Sequence, residues 1–447
     1  MHVALKVQDR LTLLTSRART LPPVVWSSVI NWAKVPALSI VGVSIAQVVA
    51  FMLFMMGGHA RPYVGNNAER IYLPAASHLL ATGSFDDPNT YAYSTEAPGY
   101  PVLLAVLQRI STEYYLPLTV SLQMLLNCCI ALLLLLLGNR MSSSSAGWLA
   151  GVLWLFFPPA VVISTWITAE TLFTALLLLG MVLWIHSLSG HGAAAFSFIS
   201  GLILGVATLV RASIQFLPIF LFLIVLFKGF SKCLPKCALL LLGAFLVIFP
   251  WTLRNLYVFG EPIIVQTGFG AVFLQGSRSE YFTIDGKMQG YPVLIKQAEQ
   301  EGYVMPTDHN PVSLDHWRFN LGLRNYRLRF RHHPFSFIPF VLHKFLRLWY
   351  GAETGTFYKQ LILGISSLFL VPLGFFQIWR WRRDNRLLST VFFLFIAYFV
   401  GLHVVGYPEF RYIVPICPFI LFSASHPIHT LYSRVITRSK PDTYRAV

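Results

Sequence analysis

Charge is what this chain of 447 residues has least of. Asp, Glu, Lys and Arg make up 12% of it, against roughly 25% in an ordinary soluble domain. That excludes a water-facing globular enzyme. Cysteine is sparse too: Cys128, Cys129, Cys233, Cys237 and Cys417 all lie in or beside apolar runs. Cys233 and Cys237 have a CxxxC spacing, but no second Cys/His pair completes a tetrahedral site, so neither a zinc module nor a disulfide framework is expected. The nucleotide and hydrolase signatures GxxxxGK(S/T), GxSxG, HExxH and GxGxxG are absent. No ATPase, hydrolase or nucleic-acid reader is indicated.

What the chain does have is apolar sequence, 55% of the whole. Several runs approach or exceed the roughly 20 residues that carry an α-helix across a bilayer. Candidate spans are 37–58, 116–137, 146–163, 171–187, 194–210, 213–229, 237–251, 360–379, 388–406 and 411–432. The expected fold is therefore an all-α polytopic membrane protein with about ten transmembrane helices. The start of the chain lacks a cleavable-signal layout, so the first helix is expected to remain as an anchor.

The net charge of +16 first points to the positive-inside rule. Lys228, Lys232 and Lys236, then Arg380, Arg382, Arg383 and Arg386, mark short cytoplasmic segments, with Arg434, Arg438, Lys440 and Arg445 following the last span. Residues 1–36 and 433–447 read as cytoplasmic basic tails around one multi-pass domain, 37–432. Its outward-facing loops are 59–115 and 252–359. The run Phe335 to Tyr350 holds Pro339, His343, Lys344 and Arg347. As a span it would put Arg380 to Arg386 outside, so it reads as an interfacial amphipathic helix. Only Asp9, Asp384 and Asp442 fall on the cytoplasmic side, which leaves the outer face rich in both signs of charge. His332 and His333, with Arg324, Arg327, Arg329 and Arg331, read as a lipid-facing basic patch.

In the first outer loop a short surface helix is expected over Ala68 to Leu80, with Glu69 in its first turn and Asn66 or Asn67 as cap. Glu69 either complements the helix dipole or serves as a general base or a partner of a metal or sugar hydroxyl. Pro98-Gly99-Tyr100-Pro101 opens a second short helix. Glu170, in Thr168-Ala169-Glu170, is pressed close to the bilayer, where an ionisable group is expensive and marks a functional site by default. Arg211, Arg254 and Arg411 share that depth. Singly each reads as a snorkelling anchor; together with the outer glutamates they suggest capture of a phosphate or pyrophosphate in a bidentate fork.

The ordered set Glu69-x-x-Tyr72, Pro98-Gly-Tyr100-Pro101, Thr168-Ala-Glu170, Leu209-Val-Arg211, Pro250-Trp-Thr-Leu-Arg254-Asn255 and Glu409-Phe-Arg411-Tyr412 resembles the GT-C superfamily of membrane glycosyltransferases. The relatives it is similar to are the protein O-mannosyltransferases and aminoarabinose transferases. The resemblance implies a GT-C-like helical bundle in a cell membrane, such as a bacterial inner membrane, with short interfacial helices in its outward loops. It also implies inverting transfer of a sugar from a polyprenyl-phosphate donor to a glycan, lipid or protein acceptor. One position departs from the pattern: the family's acid before Glu69 is here Ala68.

On this reading Arg254, with Arg211 or Arg411, holds the donor phosphate, and Glu69 or Glu170 is the base. Glu96 or Asp86 stands as a substitute, and Tyr72, Glu96 and Tyr100 line the substrate site. No cofactor is assigned, and a divalent metal is left open without ligands. Membrane lipid is an expected partner and nucleic acid is not. Two alternatives remain: a non-catalytic relative that binds polyprenyl phosphate, which Ala68 favours, and a transporter or flippase of lipid-linked solutes.

Overall fold

Inside a bilayer every backbone amide must be satisfied within its own segment, so long apolar runs fold as helices. The computed structural model describes residues 25–56, 62–65, 67–85, 96–141, 143–188, 193–228, 230–278, 296, 299–300, 302–306, 310–352 and 357–439. Most of the two expected tails, Asp86 and Asn66 lie outside the described residues. Among those described, the sole β pairing is an isolated parallel bridge between Tyr63 and Trp166.

Among the described residues, seven helices are long and apolar enough to cross a membrane, or eight if the one bent pair counts as a span. They lie within α1 (Val25–Met56), α4 (Tyr115–Arg140), α7 (Glu170–Leu188), α10 (Leu234–Phe259), α14 (Phe357–Asp384), α15 (Arg386–Val405) and the run Phe410–Arg434. This is a multi-pass, all-α membrane protein. The expected runs 194–210 and 213–229 are also apolar helices, but shorter: Ala194–Val210 and Ala212–Phe227. The expected span 146–163 is the bent pair, α5 (Ser144–Leu155) and α6 (Pro158–Ser164), which meet at 54°. Phe157 precedes Pro158 and is held extended at φ −71°, ψ 112°, because the proline ring disfavours a helical conformation in the residue before it.

One boundary differs from the expectation in a way that matters. Helix α10 does not stop near residue 251 but continues through Pro250 to Phe259. Gly260, at φ 72°, supplies the left-handed residue that ends it. Arg254 and Asn255 therefore project from the last turns of a helix rather than from a loop. Helix α10 packs closely on α8 (Ala193–Val210): a Cβ on Gly201 would meet the Leu240 carbonyl, and one on Gly243 the Phe198 carbonyl. Small residues let the two backbones approach, as in membrane helix pairs generally.

The loops at one end of the bundle form short elements of their own. A π-helical turn, Ala68–Tyr72, runs into α2 (Leu73–Thr82), and α3 spans Gly99–Ile110. Asn67 has helical backbone angles and makes no capping bond, so the expected cap is not formed there. Farther on come α9 (Leu217–Phe227), α11 (Phe269–Gly276), α12 (Pro311–His332) and α13 (Pro334–Arg347). Helix α13 is two-faced: Phe335, Ile338 and Leu342 are exposed, whereas Phe340, Lys344 and Arg347 are buried. That is the pattern of a helix lying along an apolar surface. A four-residue helix, α16 (Phe410–Ile413), and α17 (Cys417–Ser439) close the chain. The five cysteines are free thiols.

Candidate functional site

The segment between α6 and α7 is fixed from two sides. Tyr63 donates its amide to the Thr165 carbonyl at 3.1 Å and accepts from the Ile167 amide at 2.9 Å. From below, Gln123, fully buried within the apolar helix α4, donates to the Ser164 and Trp166 carbonyls at 2.9 and 2.7 Å. Its amide oxygen accepts from the Tyr100 hydroxyl at 2.9 Å. Two loops and a mid-helix amide thus set the position at which Glu170 begins α7.

Glu170 is 2% exposed. Its carboxylate accepts from Arg211 Nη1 at 2.7 Å, faces Arg411 Nε at 3.6 Å and accepts from the Thr168 hydroxyl. Arg211 reaches it from an extended residue at φ −153° that links α8 to a short 3-10 turn, Ala212–Ile214. Arg411 comes from α16 and lies 3.4 Å from the buried Glu409. Tyr412 presents its ring to both guanidinium groups, 5.0 Å from each carbon centre, and accepts from Arg411 Nη2 at 3.2 Å. The imidazole of His403 stacks on the same ring at 5.5 Å. Such a cluster must be paired to be stable, because isolated charges at this burial are expensive.

Two groups from the first loop share this field. Tyr72 is buried with its ring 5.1 Å from that of Tyr100. Burial, followed by the charges of Glu96 and Glu170, pushes its phenol well above the usual range. Glu96, in the loop before α3, is half-buried. Burial raises its carboxyl to about 7, against the opposing pull of Arg211 and with a further push from Glu170. A carboxylate with that affinity for protons, beside two arginines, can accept one near neutral pH.

The structure thus brings together Glu170, Arg211, Arg411, Tyr72, Tyr100 and Glu96. Glu69 stands apart: it is exposed on the first turn of the π-helical segment, while its neighbour Ala68 is 1% exposed. Arg254 is half-buried and stacks over Trp251 at 4.9 Å and Phe259 at 5.5 Å, donating to the Asn255 amide oxygen at 3.0 Å. Its neighbours grip the returning chain. Trp251 donates to the Val265 carbonyl at 2.7 Å, Thr252 to Ile264 at 2.8 Å, and Asn255 to Ile263 and Val265 at 3.0 and 3.1 Å.

Several contributors carry no role in the sequence reading. Glu409 and Tyr412 flank Arg411 in the motif, and Gln123 interrupts an apolar run, which is a usable signal because a polar group there needs a partner. Lys344 is another: 1% exposed, it donates to the Gly276 carbonyl at 2.8 Å, the Tyr326 hydroxyl at 2.6 Å and the Val405 carbonyl at 3.2 Å. Burial lowers its ammonium to about 7, with a smaller contribution from Arg329. No group of three or more His, Cys, Asp or Glu among the described residues is placed to hold a metal ion.

Fold and site together define a multi-pass helical membrane protein with a paired charge cluster under the loops at one end of its bundle. Among solved structures the chain is similar to ArnT from Cupriavidus metallidurans, crystallised with undecaprenyl phosphate. The match has 12% identity over 91% of this chain and 80% of that one, with a TM-score of 0.39. No family model matches the sequence, and no curated protein does.

Proposed function

We propose that the protein transfers a sugar from a polyprenyl-phosphate donor to a cell-envelope lipid, glycan or protein acceptor. The site faces outward from a cell membrane, such as a bacterial inner membrane. The observation that carries the reading is the convergence of Glu170, Arg211, Arg411, Tyr72 and Glu96 from four distant parts of the chain onto one buried spot. The ordered motif resemblance supplies the chemistry to which such a cluster is suited.

In this account Glu170 is an organiser. Bound to Arg211 and facing Arg411, it fixes both guanidinium groups. Arg211 spends Nη1 on Glu170, and its side chain is 19% exposed. A guanidinium has five N–H donors, so it can also grip a phosphate and stabilise charge on the leaving group, an effect of roughly 10²–10³-fold in rate for one good donor. Arg254, on the last turns of α10, is the second phosphate contact. Glu96 takes the proton from the attacking hydroxyl, and Tyr72 and Tyr100 form the wall beside it. Glu69, exposed and outside the cluster, is the weaker candidate for the base.

A second reading rests on Ala68. It is buried one helical turn before Tyr72, where the resembled family carries an acid. A chain that kept the phosphate grip and lost that acid would bind polyprenyl phosphate without transferring sugar. Mass spectrometry of cell-envelope glycans with and without the gene separates the two. Loss of one glycan modification supports transfer. An unchanged glycan profile, together with retained polyprenyl-phosphate binding, supports the second reading.

A further inference from the structure

A cavity of about 270 Å³, not lined by Glu170, Arg211 or Arg411, lies among the segments Glu261–Thr267, Val312–His316 and Gln215. Its position is set by the elements that carry the arginines. Gln215 ends the 3-10 turn whose other flank is Arg211. The strip from Ile263 to Val265 is held against α10 by Trp251, Thr252 and Asn255, beside Arg254. The cavity therefore shares its two anchoring elements with Arg211 and Arg254, one at each.

Its lining is mixed. Pro262, Ile263, Ile264 and Val312 give apolar surface. Gln215 and Gln266 also line it, and their side-chain amides make no hydrogen bond to the described residues. Each amide offers two donors and an acceptor. Glu261 and His316 meet at 3.9 Å, with side chains 49% and 63% exposed. Asp315 is already committed: it accepts from the Gly270 amide at 2.8 Å and caps α11. The fixed charge around the cavity is thus acidic, which disfavours an anion.

Amides that donate and accept, apolar patches and an acid at the edge are the complement of a sugar ring, with its hydroxyls and its C–H faces. The volume lies just under the roughly 300–1,000 Å³ of sites for drug-sized ligands, which suits a single ring. We infer that this cavity binds a neutral, polyhydroxylated group, one monosaccharide unit, through Gln215, Gln266 and Glu261. That the bound unit belongs to the acceptor rests on the transferase reading; the binding itself does not.

The test uses the detergent-purified full chain and ligand-observed saturation-transfer NMR with D-glucose, D-galactose, D-mannose, L-arabinose and N-acetyl-D-glucosamine. Saturable binding of at least one sugar is expected, weakened at least fivefold in Gln266→Leu and in Gln215→Leu, with inorganic phosphate failing to displace it. Both glutamines are part-exposed, so the variants should fold, and an unchanged thermal midpoint verifies that. Arg211→Lys should leave sugar binding intact while polyprenyl-phosphate binding falls, which separates this inference from the transferase reading. No saturable binding of any of the five sugars, binding unaffected by both folded variants, or displacement by phosphate would overturn it.

Discussion

The carboxylate of Glu170 and the guanidinium of Arg211, 41 positions apart in sequence, meet at 2.7 Å with the glutamate almost wholly buried. The pair fixes one end of α7 against the end of α8. Arg411 completes it from a third segment.

The first prediction follows from that burial. Glu170→Gln leaves two part-buried guanidinium groups without their shared, fully buried counter-charge, and removing one member of such a pair costs on the order of 3 kcal/mol. Glu69→Gln alters an exposed first-turn acid and should stay within about 0.5 kcal/mol of wild type. Thermal midpoints in detergent check both. Equal midpoints for the two variants would remove Glu170 from its organising role.

The second concerns pH. A base that titrates at about 7 is active when deprotonated, so transfer should rise with pH through 7 and level off above it. Glu96→Gln should lower the rate by roughly 10²–10⁴-fold and abolish that limb. The stability sign runs the other way. The folded carboxyl is raised from 4.5, so the native state holds the extra proton, and its contribution declines as pH climbs from about 4.5 to 7. Glu96→Gln should flatten that part of the stability profile.

The third concerns Lys344, whose ammonium is lowered from 10.5 to about 7. Between those values the unfolded chain binds the additional proton, so stability should rise with pH from 7 toward 10.5. Lys344→Met removes the titrating group, and the variant's thermal midpoint should lose that rise. A midpoint profile identical to wild type between pH 7 and 10 would show that the buried lysine does not titrate there.

The fourth turns on Ala68. Ala68→Asp places a carboxyl on the buried face beside Tyr72. If the chain is a transferase whose base has moved to Glu96, turnover of a polyprenyl-phosphate sugar changes by less than tenfold. A gain of a hundredfold or more would mark a degenerate enzyme and contradict the role given to Glu96.

Much of this was legible in the sequence. Apolar run length located the helices, and the depth of Glu170 and Arg211 between apolar segments singled them out, since ionisable groups there need partners. The resemblance added the order of the motifs. What the sequence withheld was direction. Ala68 and Glu69 are adjacent, yet one is buried and the other exposed, because consecutive residues on a helical turn point to different sides. The grip of Trp251, Thr252 and Asn255 on the strip from Ile263 to Val265 was equally hidden, because it depends on α10 continuing past Pro250. Gln123 and Lys344 act through long-range contacts with backbone carbonyls, and a carbonyl leaves no trace in side-chain identity.

The central claim is that Arg211, held in place by Glu170, grips the phosphate of a polyprenyl carrier. Native mass spectrometry of the purified chain with undecaprenyl phosphate, comparing wild type with Arg211→Lys, tests it most directly. The lysine keeps the charge but lacks the planar fork. The account predicts saturable binding to wild type and roughly 10–100-fold weaker binding to the variant, the range for a lost charge-assisted hydrogen bond. Equal affinity for both proteins, or no binding to folded wild type, would contradict it.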